Sequence, residues 1–138
     1  MTQDQAGFED LVELVATLRN PDGGCPWDIE QTHESLAKYL QEETQEVLEV
    51  LETFKDSSSE GDYASLKDEL GDVLLQVLLH SQLASESGKF TIVDVLENLS
   101  QKLIRRHPHV FGDSEASTIE DVEAQWQKIK QEEKETKD

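Results

Sequence analysis

Residues 68–80 read Asp68-Glu69-Leu70-Gly71-Asp72-Val73-Leu74-Leu75-Gln76-Val77-Leu78-Leu79-His80. From Val73 onward the stretch is apolar nearly all round, the mark of a helix that is buried. At about 100° per residue, Glu69, Asp72, Gln76 and His80 share one polar strip, which borders Leu66 and Val73 rather than forming a separate solvent face. Gly71, inside the helix, costs stability relative to Ala and hints at close approach of another backbone. The pattern predicts a long helix from about Asp62 to Ser87, with Gly88 as its C′ residue.

A second long helix precedes it, from near Thr32 to near Phe54. Leu36, Leu40, Val47, Val50, Leu51 and Phe54 mark its inward stripe, and Glu43 falls in the gap of that stripe. Glu46 lies one turn beyond Glu43, and Glu42 one position off the line. Residues 55–61 read as a solvated loop, so the two helices should form an antiparallel hairpin. On either side the 3.6-residue period continues. One helix spans Gly7 to Arg19, with Phe8, Leu11, Val12, Val15 and Leu18 on one face. Another opens at Thr91 with Asp94 three residues on, runs to about Arg105 and is stopped by Pro108. The last opens at Thr118 with Asp121 at the matching position and carries Ile119, Val122, Trp126 and Ile129. Residues 131–138 have no apolar side chain and should fray. Strand signals are almost absent. The expected fold class is all-α, a helical bundle of about five helices with a central antiparallel hairpin, as one domain over residues 1–138.

Composition narrows the function classes. The 138 residues hold 12 Lys+Arg against 31 Asp+Glu, a net charge of −19. That balance argues against nucleic acid and anionic membrane as partners, since both need a basic face. Cys25 is the one cysteine, so no internal disulfide can form and a reducing compartment is the natural setting. Met1 to Gln5 is neither basic nor apolar, and Val73 to Leu79 is far too short to span a bilayer. A soluble cytoplasmic protein is the expectation.

The chemistry should lie on the central hairpin. Glu42-Glu43-x-x-Glu46 and Asp68-Glu69-x-x-Asp72 repeat one pattern, acid-acid-x-x-acid, each copy offset into an apolar stripe. A lone copy would ordinarily be a solvated acidic face. Two copies on neighbouring helices bring four or five carboxylates together without an equal supply of Lys or Arg, and they cannot all stay ionised without a cation. Hard oxygen ligands suit Mg²⁺ or Mn²⁺, with phosphate oxygens as the usual occupants of the open positions. A di-iron centre fits poorly, because it needs Glu-x-x-His on two helices and only Glu30 to His33 has that spacing. Lys102-Leu103-Ile104-Arg105-Arg106-His107-Pro108-His109 is the densest basic segment. It either offsets a helix C-terminus or clamps an anion. Trp27, after Pro26, either stacks on a base or plugs the core; Asp28 is a possible helix cap, and Cys25 reads as a small buried residue.

Five stretches together resemble the MazG nucleoside triphosphate pyrophosphohydrolases: Leu18 to Asp28 with Gly24-Cys25-Pro26-Trp27-Asp28, Glu30-Gln31-Thr32-His33, Glu42 to Val47, Glu69 to Gln76, and Arg105 to Phe111. The resemblance runs from Leu11 to about Lys130 and looks like the N-terminal type of a domain that many relatives carry twice. Lys38 stands where many relatives have proline and reads as surface variation. The resemblance implies a fold shared with dimeric dUTPases and Mg²⁺-dependent cleavage of nucleoside triphosphates to the monophosphate and pyrophosphate; the apolar stripe of the helix from Asp62 to Ser87, thinly covered by the other helices, separately points to a homodimer or higher homo-oligomer. The resemblance also implies Glu43, Glu46, Glu69 and Asp72 as metal ligands, with Glu42 or Glu46 orienting water. Arg105, Arg106, His107, His109 and Lys130 are implied on the phosphate side. A non-catalytic helical regulator that binds nucleotide or protein through the same acidic face is the rival reading.

Overall fold

A computed structural model describes residues 7–55 and 59–137, so Asp56 to Ser58 of the expected loop lie outside the described residues. The chain is all-α, and no strand occurs among the described residues. The helices are α1 (Phe8–Leu18), α2 (Pro26–Glu30), α3 (His33–Glu52), α4 (Glu60–Glu86), α5 (Ile92–Arg106), α6 (Pro108–Phe111) and α7 (Ile119–Lys137). The five expected helices are all present. The two additional ones, α2 and α6, are single short turns with proline at the first position, where its missing N–H costs nothing. The chain forms two compact units, Met1–Ile92 and Val93–Asp138.

In the first unit, α4 packs against α3 and α1. Val15, Leu36, Leu78 and Leu79 are its fully buried centre, with Leu11, Val12, Tyr39, Leu83 and Ile92 packed around them. The helix ends follow from local chemistry. Thr32 Oγ1 accepts from Ser35 N–H at 3.1 Å, and Ser35 Oγ accepts from Thr32 N–H at 2.8 Å, which starts α3. Ser59 and Asp62 make the same reciprocal pair and start α4 at Glu60, so Gly61 lies inside the first turn rather than at a break. At the other end Gly88 has φ 67°, Lys89 N–H reaches Ala84 O at 2.9 Å and Gly88 N–H reaches Ser85 O at 3.0 Å. That is a Schellman closure, which favours glycine at this position.

Three side-chain pairings give the hairpin its antiparallel register. His33 meets His80, Glu43 and Glu46 meet Glu69 and Asp72, and Phe54 meets Tyr63 edge-on at 5.0 Å. From the turn before α2, Arg19, which is 8% exposed, pins α2 itself and its C-cap. Its Nε and Nη2 donate to Glu86 at 2.9 Å each, and its Nη1 donates to the carbonyls of Asp28 and Gln31. A Cβ on Gly24 would run into the carbonyls of Leu18 and Asn20, so the turn needs glycine there.

Several expectations are corrected. α4 is not covered all round: Leu70 is 50% exposed, and Leu74, Leu75 and Val77 are also exposed, on the sides away from its packing against α1 and α3. No other backbone among the described residues approaches Gly71: beyond its own helical turns, nothing lies within 4 Å of where a Cβ would stand. Trp27 does not plug the core; it is 46% exposed, edge-on to Tyr39 at 5.4 Å. Cys25 is half-buried and serves as the N-cap of α2, the place offered to Asp28. Residues 131–137, expected to fray, continue α7.

Candidate metal centre

Glu43 and Glu46 lie one turn apart on α3, and Glu69 and Asp72 one turn apart on α4. The hairpin register sets these pairs opposite each other. One carboxylate oxygen from each residue falls within 4.8 Å of all the others. Glu46 is exposed, and the other three are half-buried. Oε2 of Glu43 and Oε2 of Glu69 are buried with no hydrogen-bond partner, and no ion pair among the described residues reaches the quartet. Two buried carboxylate oxygens without donors are costly, and a divalent cation held among the four carboxylates would satisfy both at once.

The electrostatics carry the same signature. Burial first, then the charges of Glu46, Asp72 and Glu42, push the Glu43 carboxyl above its ordinary range. Glu69 is pushed up to about 7, first by the hydrogen bond it shares with Glu46, then by burial and the charges of Glu46, Asp72 and Asp68. The group is therefore a set of like charges that share a proton when no cation is present. Oxygen donors alone, without sulfur or imidazole, fit Mg²⁺ or Mn²⁺. Glu42 is exposed and stands outside the quartet, acting on it through its charge on Glu43.

The same strip of α4 continues to Gln76, which is 5% exposed with Oε1 unpartnered, and to His80. The His80 and His33 rings lie nearly parallel, at 9°, with Nδ1 atoms 2.8 Å apart, so one ring donates to the other. Burial and then the charge of His33 lower the His80 pKa. This pairing crosses 47 residues of sequence and has no local signal.

The basic segment belongs to the second unit. Arg105 and Arg106, at the end of α5, both bind Glu133 of α7. The Arg106 guanidinium lies 5.7 Å from the Trp126 ring centre, and the His107 ring meets Trp126 edge-on at 5.2 Å. His107 Nδ1 donates to the Leu103 carbonyl at 2.6 Å. His109 Nδ1 accepts from Gln125 Nε2 at 3.0 Å. Lys130 is exposed on α7. Sequence reading missed Glu133, since one glutamate in a run of charged residues carries no distinguishing mark. It placed Trp126 only on an apolar face.

Residues 31–111 match the model of the MazG nucleotide pyrophosphohydrolase domain. The nucleoside triphosphate pyrophosphohydrolase/pyrophosphatase MazG of Thermotoga maritima is 50% identical over 127 residues, which cover 92% of this chain and 45% of that protein. The nucleoside triphosphate pyrophosphohydrolase of Escherichia coli K12 is 45% identical over 124 residues, 90% of this chain and 44% of that protein. This chain thus spans less than half the length of these curated relatives. A crystal structure of a mazG-related protein from Thermotoga maritima superposes with a TM-score of 0.67 at 27% identity, over 89% of this chain and 98% of that one. The chain belongs to the MazG nucleotide pyrophosphohydrolase domain family.

Proposed function

We propose that this chain hydrolyses nucleoside triphosphates and deoxynucleoside triphosphates to the monophosphate and pyrophosphate, as a house-cleaning enzyme of the cytoplasm. The observation that carries this reading is the carboxylate quartet on α3 and α4, with the buried, unpartnered Oε2 atoms of Glu43 and Glu69. The names of the relatives, which are nucleoside triphosphate pyrophosphohydrolases, support it. Glu43, Glu46, Glu69 and Asp72 hold the metal, and bound Mg²⁺ supplies charge neutralisation for the phosphate oxygens. Glu42 or Glu46 orients a water toward the α-phosphorus and takes its proton. Both lie on α3 at solvent-exposed positions, where water has access. Arg105 and Arg106 meet the phosphates with charge-assisted hydrogen bonds, with His107, His109 and Lys130 beside them, and the exposed ring of Trp27 stacks on the base.

The working unit in this reading is residues 1–138 as one domain, assembled as a homodimer. The exposed apolar run Leu70, Leu74, Leu75 and Val77 on α4 supports self-association, because a chain of net charge −19 gains nothing from leaving that face in water. A panel of NTPs and dNTPs with Mg²⁺, scored for monophosphate against diphosphate, tests the activity. Monophosphate and pyrophosphate in equal amounts are expected. Nucleotide binding without pyrophosphate release would make the chain a non-catalytic regulator.

A further inference from the structure

One carboxylate holds both arginines of the basic segment. Arg105 Nε donates to Glu133 Oε2 at 2.7 Å, and its Nη2 lies 2.7 Å from the same oxygen. Arg106 Nη2 donates to Glu133 Oε1 at 2.7 Å, and its Nε is shared between Oε1 and Oε2 at 3.3 and 3.4 Å. Each guanidinium therefore turns its Nε–Nη2 edge to Glu133, which leaves Nη1 and the outer N–H of Nη2 for another acceptor. Glu133 and Arg106 are largely buried, with side chains 16% and 18% exposed, while Arg105 is 48% exposed. Trp126 lies against the Arg106 guanidinium and limits its swing. A cavity of about 670 Å³ opens beside them, lined by Asn98, Lys102, Arg105, Arg106, Glu133 and Lys137 among others.

Two guanidinium groups on adjacent residues repel, and each long side chain loses rotamer freedom when it grips a ligand. A shared carboxylate offsets both costs before any ligand arrives. Arg106 and then Arg105 hold the Glu133 carboxyl down at about 2, so it stays ionised near neutral pH. One negative charge against Arg105, Arg106, Lys102 and Lys137 leaves the cavity wall cationic even with Glu132 counted. The arrangement suits an anion carrying several charges.

We propose that Glu133 is a positioning residue: it sets the guanidinium groups of Arg105 and Arg106 side by side as a preformed clamp whose free N–H edges take the phosphates of a polyphosphate chain. This rests on the reading above that the two arginines meet phosphate. Ordering the clamp in advance lowers the entropic cost of binding. Glu133 acts only through the arginines, so its effect disappears when they are gone.

The test uses the full chain with Mg²⁺ and inorganic tripolyphosphate as the probe, and calorimetry as the readout. Glu133→Gln keeps the shape and removes the charge, and should weaken binding about tenfold by loosening charge-assisted bonds. Arg106→Ala should weaken it at least as much. In an Arg105→Ala, Arg106→Ala background, adding Glu133→Gln should change affinity less than twofold, the result of a double-mutant cycle in which one residue acts through the others. Melting temperature is measured for every variant. A Glu133→Gln chain that melts lower but binds as tightly as the parent has lost only a structural tie, and that overturns the proposal. Tighter binding by Glu133→Gln also overturns it, because the carboxylate would then be a competitor of phosphate. If Arg106→Ala binds unchanged, the phosphate reading fails beneath it. If Arg106→Ala weakens binding while Glu133→Gln does not, the positioning role alone fails.

Discussion

Between pH 8 and pH 6 the apparent affinity of the chain for Mg²⁺ should fall about tenfold, because a carboxyl must lose its proton before it can ligate a metal. The magnitude comes from Glu69, whose pKa is pushed up to about 7 by its hydrogen bond with Glu46, by burial and by its acidic neighbours. At pH 8 about nine in ten such groups are ionised, and at pH 6 about one in ten. Near pH 7 each binding event should release roughly half a proton. Calorimetry in two buffers of different ionisation heat reads that number directly. Stability in the absence of metal runs the other way. A carboxyl whose folded pKa lies above its ordinary 4.5 binds its proton more tightly in the native chain. Its stabilising contribution is complete below pH 4.5 and is lost as pH rises through about 7. The metal-free chain should therefore melt lower at pH 8 than at pH 5, relative to Glu69→Gln, a comparison in which His80 and the other titrating groups cancel. Mg²⁺ at a hundred times its Kd should restore about 2.7 kcal/mol, or roughly 9 °C for a chain of this length. Affinity that stays flat from pH 6 to pH 8 with no proton release would refute the argument.

Other expectations follow from the same contacts. Glu69→Gln should keep its helical circular dichroism and lose both Mg²⁺ affinity and turnover, and unchanged activity would remove Glu69 from the metal site. Arg19→Ala strips Glu86 and the carbonyls of Asp28 and Gln31 of a buried partner, and should cost about 2–4 kcal/mol in urea unfolding. Leu74→Asp puts a charge on the exposed apolar face of α4. In light scattering the parent should have twice the mass of the 15.6 kDa chain and the variant that of one chain; a parent at one mass would end the dimer reading.

The central hairpin was legible because two periods disagree at the same places. Glu43, Glu69 and Asp72 sit where apolar neighbours say the helix turns inward, and that conflict marks the cluster in the sequence itself. The helix ends were nearly as clear where one residue marks them, by a capping hydroxyl at Thr32 and by a positive φ at Gly88. α4 starts two residues before the expected Asp62 because Ser59 caps it and Asp62 closes the reciprocal pair from the third position. α2 and α6 went unread because a single turn is too short to show a period, and each is set by a proline's fixed φ. The extent of α7 was missed for a different reason. Its last turns bury nothing apolar, and Glu133 is engaged by Arg105 and Arg106, 28 and 27 residues earlier. α4 buries only part of its apolar surface within the first unit, since hydrophobicity shows that a face seeks cover without saying which surface supplies it.

Arg19 makes its two turn-binding hydrogen bonds to main-chain carbonyls, which every residue type provides. Asp28 and Gln31 can therefore change identity without disturbing that tie, provided the backbone keeps its path. Arg19 and Glu86, which meet side chain to side chain at two points, have no such latitude. The knot concentrates its demand for particular letters on two distant positions and, Gly24 apart, asks of the intervening turn only that its backbone keep its path. A saturation library over these four sites should return a narrow spectrum at Arg19 and Glu86 and a broad one at Asp28, with Gln31 between them because its side chain also donates to the Trp27 carbonyl and accepts from the Ser35 hydroxyl, so that the residues touching the knot differ sharply in how much of the chain's heritable specification they hold.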